Sequence, residues 1–332
     1  MTTSVDHPFH GTQIEATLEA HRVELTGYCY RMLGAASEAE DAVQETLVRA
    51  WKAADRFEGR SSARTWLYRI ANHVCIDMHR SPQRRARPMD MGPSSHPSDV
   101  VLGPPHAEQT FVQPVADALV IDVHADPAEI VASRESIRLA FVAALQHLPA
   151  RQRSVLILCE VLRWQATEVA DLLDTTVASV NSALQRARAT LATMQGEQLD
   201  STLSDEHQRL LARYVDAFER YDVDEIATLL RDDVVLSMPP YDTWLVGPED
   251  VAAWFLGQGI GCKGGRLVPV DLNGTAGFGN YRMTRPGLWE PFGLQVIEVA
   301  GSKIVGHHNF LYPDQFAAAG LPPRLRTEPA AP

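Results

Sequence analysis

The chain reads as two all-α domains followed by an α+β domain, and three observations carry that reading. Apolar residues recur at helical spacing through residues 12 to 80 and again through 128 to 194. Between these stretches the periodicity lapses over a proline-rich segment. Beyond residue 204, helical patterns flank and precede short β-like runs. At 332 residues the chain exceeds the usual size of one domain, so several compact units joined by linkers are expected.

Taken in order, Ile14, Leu18, Leu25, Tyr28 and Met32 keep a helical spacing. Ser37 with Glu40 has the pattern of a capping box, opening the helix "EAEDAVQETLVRAWKAA". In that helix Ala39, Val43, Leu47 and Ala50 face one way, and Asp41, Glu45, Val48 and Lys52 the other. A third helix follows "FEGRSSA". Its apolar stripe is Leu67, Ile70, Ala71, Val74 and Met78, and its opposite face carries Arg69, Asn72, His73 and Arg80. These helices form a first domain over 12–81.

Residues 82–127 contain prolines throughout, including "MGPSSHPSDVVLGPPHAEQ", and are expected to be a flexible linker. Helical periodicity resumes over 128–194, where a turn at Asp174 to Thr176 separates two short helices in the manner of a helix-turn-helix. The third domain, 204–318, has helical patterns at 205–231 and 248–257 and β-like runs "DDVVLSMPP", "GFGNYRMT", "GLQVIEVA" and "KIVGHHNFLY". The tail 319–332, with "AGLPPRLRTEPAAP", has a composition expected to be disordered.

Composition excludes several function classes. Hydrophobic residues make up 45% of the chain, yet no apolar run approaches the roughly 20 residues needed to cross a bilayer. The start, "MTTSVDHPFHGTQ", lacks a basic region followed by an apolar one, so a cytoplasmic protein without membrane contact is expected. The four cysteines lie far apart and form no zinc-type spacing, so neither a metal nor a cofactor is expected.

The formal net charge of −12 is unevenly spread. Residues 1–90 carry twelve acids and twelve bases, and 91–133 carry six acids and no base. Residues 134–193 carry five acids and seven bases, and 194–332 carry nineteen acids and eleven bases. The acidity thus belongs to the linker and the C-terminal part, leaving the helical domains free to bind nucleic acid.

Two stretches have the chemistry for that. From Gly59 to Arg87 there are seven arginines and one acid, with Trp66 and Tyr68 among them. Guanidinium groups can hold a backbone while aromatics stack on unpaired bases, although a solvated basic face has the same composition. The helix from Thr176 to Leu191 turns Val177, Val180, Leu184, Ala187 and Leu191 inward. Its outward face has small polar residues early and arginines late, which suits a helix whose first turns enter a major groove and whose later turns meet phosphates. An ordinary solvated helix of a bundle is the alternative.

At this level the residues carry a family resemblance. "AEDAVQETLVRAWKAADRFEGRSSARTWLYRIANHVCIDMHR" resembles region two of bacterial RNA polymerase sigma factors, and "LPARQRSVLILCEVLRWQATEVADLLDTTVASVNSALQRARATL" resembles region four. The order and intervening linker are similar to the extracytoplasmic-function (ECF) type. Residues 205–318 resemble the SnoaL-like (NTF2-like) domain, a cone-shaped α+β fold that some of these factors carry.

The resemblance implies a sigma factor, not an enzyme, that joins core polymerase, directs it to promoters and aids their melting, with the C-terminal domain modulating activity. It implies that Asp41, Gln44, Glu45, Leu47, Arg49 and Trp51 bind the clamp coiled coil of core polymerase. Arg60, Ser61, Ser62, Arg64, Thr65, Trp66, Arg69, Asn72 and Arg80 fall where the family captures the minus-ten element. Ser179, Asn181, Ser182, Gln185, Arg186 and Arg188 fall where it reads the minus-thirty-five element. The extension's glycine-rich motif is represented by "CKGGR", so Cys262, Lys263, Gly264, Gly265 and Arg266 are the expected regulatory contact. An anti-sigma factor or a small-molecule ligand of the SnoaL-like domain would be further partners.

No catalytic residue is assigned. Trp244, Trp254, Phe255, Trp289, Phe292 and Phe310 have the character of a pocket lining, and Asp242, Asp271, His307 and His308 are the polar candidates. No spacing singles out an acid–base pair among them, and an aromatic core with surface histidines is the expectation. The competing reading is a polymerase-independent helix-turn-helix regulator whose SnoaL-like domain senses a ligand or catalyses a reaction. That alternative leaves the 38–52 helix and the Arg/Trp stretch without a role.

Overall fold

The computed structural model describes residues 12–57, 59, 61–78, 85–194 and 204–327. They form two compact units, the first drawn from 12–78 with 118–194 and the second from 85–117 with 204–327.

The first unit is helical. Helices α1 (Thr12–Ala20), α2 (Arg22–Leu33), α3 (Ala36–Ala53) and α4 (Ala63–Met78) make up its N-terminal part. α5 (Asp117–Val120), α6 (Pro127–Ser136), α7 (Leu139–Gln146), α8 (Ala150–Leu156), α9 (Ala166–Leu172) and α10 (Val177–Ala192) follow. α2 stops at Gly34, whose φ of 79° gives the left-handed turn that closes the helix. α3 starts earlier than its sequence suggests. The amide of Ala39 bonds the carbonyl of buried Ala35 at 3.0 Å, so Ser37 falls inside the first turn and the expected capping box does not form. Ala39, Ala42, Val43, Thr46 and Ala50 then face the core, on a stripe of small residues that lets α2 and α4 approach.

The contact between α2 and α4 on one side and α7 to α9 on the other is polar at its centre. Arg153 on α8 is fully buried, and its guanidinium donates to the carbonyls of Met32, Gln146 and Leu148 and to the side chain of Gln146. Met32 lies in the last turn of α2, and Gln146 and Leu148 lie at the end of α7. The cation therefore rests on carbonyls that two helix C-termini leave unpaired, where the helix dipole favours positive charge. Beside it, Asn72 Oδ1 accepts from Tyr28 Oη at 3.0 Å and from Ser154 Oγ at 2.7 Å. Arg31 reaches Ser136 Oγ at 2.7 Å. Burial without a carboxylate partner pulls the Arg31 guanidinium down to about 10.

The second unit is a seven-stranded sheet with helices on one face. Its strands are β1 (Leu230–Ser237), β2 (Trp244–Val246), β3 (Arg266–Leu272), β4 (Thr275–Arg285), β5 (Leu288–Ala300), β6 (Lys303–Phe310) and β7 (Leu325–Arg326). The order is β2-β1-β6-β5-β4-β3, with β7 paired to β5, and only the β1 and β6 neighbours run parallel. Helices α11 (Asp205–Arg220), α12 (Val223–Leu229) and α13 (Pro248–Leu256) cover the face that presents Val234, Leu236, Phe278, Ile297, Val299 and Ile304. Tyr214, Phe218 and Phe255 fill the space between.

Two expectations change here. Much of the 82–127 stretch has a definite course: residues 85–117 pack as part of the second unit. Val115 N donates to Asn273 Oδ1 and Asn273 N to Val115 O, each at 3.0 Å, and Gly274 N donates to Asp117 at 2.8 Å. Phe111, Val112 and Val115 are buried, and Arg85 donates to the carbonyls of Glu108 and Phe111. Prolines removed the periodicity, but the apolar residues of "FVQPVA" still bury against the sheet. The expected tail from 319 also begins too early. Phe316 and Leu321 are buried against β4 at Gly279, where an added Cβ would lie 2.7 Å from Leu321, and β7 pairs beyond them. Residues 328–332 lie outside the described ones.

Candidate nucleic-acid interface

Helix α10 carries the most open of the expected surfaces. Thr176 Oγ1 accepts from Ser179 N at 3.2 Å and caps the helix, after a turn in which Asp174 adopts φ 47°. Val180, Ala183 and Ala187 face inward. Ser179, Asn181, Ser182, Gln185, Arg186 and Arg188 are all exposed. Arg188 pairs with Glu160, whereas the Arg186 guanidinium has Ser182 Oγ, at 2.7 Å, as its one partner among the described residues. Val177, expected inward, is 38% exposed because the chain is still turning out of the cap there.

Helix α3 presents a second open face. Asp41, Gln44, Glu45, Arg49 and Trp51 are exposed and Leu47 is half-buried. Trp51 is 61% exposed beside Val48 at 44%, an apolar pair with nothing over it among the described residues. Arg49 bonds Glu45 at 2.6 Å and lies 3.7 Å from Asp77.

On α4 the expected residues are largely covered. Ser62 accepts from Thr65 N at 3.1 Å at the head of the helix, with Ser61 half-buried before it. Trp66 is half-buried, 5.1 Å from the ring of Phe57. Arg64 bonds Glu24 at 2.7 Å and lies over the rings of Tyr68 and Trp164 at 5.3 and 5.1 Å. Burial works against ionisation of Glu24, but hydrogen bonds from His21 and Arg64 and the Arg64 charge outweigh it and hold the carboxyl below its usual range. Arg69 donates to the Asp171 carbonyl on α9 at 2.8 Å.

Asn72 and Tyr68 depart from expectation: both are buried, Asn72 in the polar layer with Tyr28 and Ser154 and Tyr68 against Trp164. Part of the outward face read from α4 alone turns inward once α8 and α9 pack on it, while His73 stays exposed. Arg60 and Arg80 lie outside the described residues. Sequence reasoning missed the residues that do the covering, namely Arg153, Ser154 and Trp164. One signal existed for Arg153, which sits three and four residues before Leu156 and Ile157 on an apolar stripe.

The "CKGGR" motif forms a tight turn into β3. Gly265 N bonds the Cys262 carbonyl at 2.9 Å, Gly264 adopts φ 78°, and Trp289 Nε1 donates to the Gly264 carbonyl at 2.8 Å. Lys263 and Arg266 are exposed, with Arg266 paired to Glu219 at 2.6 Å. Cys262 is turned inward, where burial pushes its thiol up against the opposing pull of Arg282 and Asn280.

The candidate polar residues of this domain do not converge. His307 and His308, expected at the surface, are both buried because β6 runs through the middle of the sheet. His307 Nε2 lies 2.9 Å from Tyr214 Oη, which donates to Gln295 at 2.8 Å. Burial, helped by His308, pulls its imidazole down to about 3, so it is neutral. His308 bonds Ser237 at 2.8 Å and lies 3.4 Å from Glu298. Asp242 is exposed beside His106 at 3.5 Å, and Asp271 sits on edge strand β3. Trp254 and Phe255 belong to the core; Trp244 instead donates to the Gly92 carbonyl, Phe310 packs on β6 and Phe292 lies under Arg282. Among the described residues no group of His, Cys, Asp and Glu could hold a metal, and no helix is long and apolar enough to cross a membrane.

Comparisons with known proteins match this layout. Residues 17–85 match the model for Sigma-70 region 2, residues 138–191 that for Sigma-70, region 4, and residues 211–307 that for the SnoaL-like domain. The chain is 42% identical over 316 residues to the ECF RNA polymerase sigma factor SigG of Mycobacterium tuberculosis, covering 93% of this chain and 84% of that protein. It is 26% identical to SigJ of the same organism, over 94% of this chain and 95% of that one. The crystal structure of SigJ has the same fold, with a TM-score of 0.61 at 21% identity over 93% of this chain and all of SigJ.

Proposed function

The chain belongs to the extracytoplasmic-function family of RNA polymerase sigma factors, and from that premise we propose how its surfaces divide the work. The exposed face of α3, with Trp51 near its C-terminal end, docks on core polymerase. α10 enters the major groove at the minus-thirty-five element through Ser179, Asn181, Ser182 and Gln185, while Arg186 and Arg188 meet phosphates. α4 captures the minus-ten strand once it is single, through Arg64, Trp66 and Arg69.

The observation that carries this reading is the complete outward exposure of the six α10 residues on a capped helix whose other face is buried. α4 cannot act until α8 and α9 leave it, because Arg64, Arg69 and Asn72 are engaged by residues of region four or beneath them. That cover does within one chain what a separate anti-sigma protein would do. No ligand is assigned to the SnoaL-like domain, whose buried Tyr214, Gln295 and His307 satisfy one another, and no catalysis is assigned to it. It regulates instead by holding residues 85–117, the chain that joins the two sigma regions.

Replacing Arg186 and Arg188 with Ala in the reconstituted holoenzyme is expected to reduce the salt dependence of promoter binding by about one unit of slope per lost phosphate contact. An unchanged slope removes α10 from this role. Truncation after Ala192, compared with the full chain in run-off transcription, is expected to change transcript yield. Equal yield and equal promoter affinity would count against regulation.

A further inference from the structure

We propose that the end of the C-terminal sheet around Trp289 is an additional contact for promoter DNA, gripping the phosphate backbone without reading bases. Six basic residues lie on the strands and the turn of that end, in a part of the chain that has nineteen acids and eleven bases overall. Leu288 on β5 pairs with Arg285 on β4 and with Arg326 on β7, so the two arginines flank it on one face of the sheet. Strand spacing sets their Cα atoms about 10 Å apart, a length of duplex axis that carries about three phosphates of one strand. Trp289 pairs with Met283 and with Leu325, next to Arg324. Its indole holds the Gly264 carbonyl beside Lys263, and its ring receives Arg266 at 5.4 Å. Arg282 lies over Phe292 at 3.7 Å.

Pairing separates this end from the rest of the domain. Arg213, Arg220 and Arg231 each have a carboxylate partner, and Lys303 donates to the Thr228 carbonyl. Lys263, Arg285, Arg324 and Arg326 are exposed, and none has a carboxylate within 4.0 Å among the described residues. The acids nearby are Glu219, occupied by Arg266, and Glu290, the register partner of Arg282. Four cations at this end of the sheet are thus left without a carboxylate partner among the described residues, and Arg209 on α11 offers a single such cation outside it.

The chemistry favours a polyanion over a protein. The apolar centre of the patch is used internally, since Trp289 is 8% exposed. Only Met283 and Ile260 project, at 43% and 49%, too little for the apolar core of a protein interface. Covalent connection keeps the domain near the duplex: twelve residues, 193–204, join α10 to α11, at most about 45 Å when fully extended.

This inference rests on the reading that α10 holds promoter duplex, and the test separates the two. Holoenzyme assembled from core polymerase and full-length chain is titrated with promoter DNA over a range of salt concentrations. The variant Lys263→Ser, Arg285→Ser, Arg324→Ser, Arg326→Ser is compared with wild type, with Arg209→Ser and with Arg186→Ala, Arg188→Ala. The fourfold variant is expected to lose about two units of salt slope or more, with assembly on core polymerase unchanged and Arg209→Ser matching wild type. A wild-type slope in the fourfold variant overturns the inference if the α10 variant shows its loss. Weakened assembly on core polymerase at an unchanged slope also overturns it, and identifies an acidic protein surface as the partner. If neither variant loses slope, the α10 reading fails first.

Discussion

The two helices assigned to DNA are built in opposite ways. On α10 every side chain proposed for recognition projects into solvent, and among the described residues the ion pair on that face is Arg188 with Glu160. On α4 the arginines stack and hydrogen-bond within the protein, and Asn72 is buried in a polar layer. The targets explain the difference. A duplex groove is met by small polar groups that water solvates well, so α10 can wait exposed. Unpaired bases are met by aromatic faces and arginines stacked on them, and such a surface left open would bind other single strands or apolar partners. The cover is polar at its core, so its groups can be rehydrated on separation, as those of an apolar core cannot.

Arg153 is the most direct place to break that contrast. Arg153→Ala leaves the ends of α2 and α7 with unpaired carbonyls around a cavity, and is expected to destabilise the first unit by about 3–5 kcal/mol. Chemical denaturation reads the loss, and hydrogen exchange should show the α4 amides exchanging faster than in the unaltered chain. Unchanged exchange in α4 at a lowered stability would mean that Arg153 supports region four alone.

Trp66→Ala sharpens the contrast from the other side. It should spare binding to closed duplex, the role proposed for α10, and weaken opening by about 1–3 kcal/mol, the worth of one stacked base. Permanganate reactivity of promoter thymines should fall, with partial rescue on a pre-melted template. Wild-type reactivity would remove Trp66 from strand capture.

The smallest effect belongs to Glu24. Its carboxyl titrates below the usual value of 4.5 in the folded protein, so its contribution is present above that pH and is lost as pH falls through the carboxylate range. Because Arg64 is 42% exposed, solvent screening keeps this contribution below about 1 kcal/mol. Glu24→Gln is expected to flatten the pH dependence of unfolding as pH falls through the carboxylate range and to free Arg64. An unaltered profile would show that the pair does not hold α4 closed.

Much of this was legible in the chain. The α10 pattern, with Thr176 capping and Val180 and Ala187 inward, gave the helix and its exposed residues together, because one helix on a surface obeys a single periodicity. α4 misled for the complementary reason. Leu67, Ala71 and Val74 mark one buried face, and periodicity has no means of announcing a second, polar face buried by residues eighty positions away. The same limit hid the course of 85–117, where the partners of Val115 and Asp117 are Asn273 and Gly274. β2 and β7, of three and two residues, were too short to leave a pattern.

The interleaving of the two units also sets a timetable for synthesis. The chain crosses from the first unit to the second after residue 84, returns after 117 and crosses again after 195. Both sigma regions are therefore complete while residues 85–117 still lack their partner, since Ala116 bridges to Leu272. At about 5–20 residues per second the ribosome needs on the order of 10–30 s to supply that strand. During this interval Phe111, Val112 and Val115 lack the partners that bury them, and the nascent joint is expected to be open to proteases. Ribosomes stalled before and after residue 273 should yield chains that differ in cleavage within 85–117, cut in the first and protected in the second.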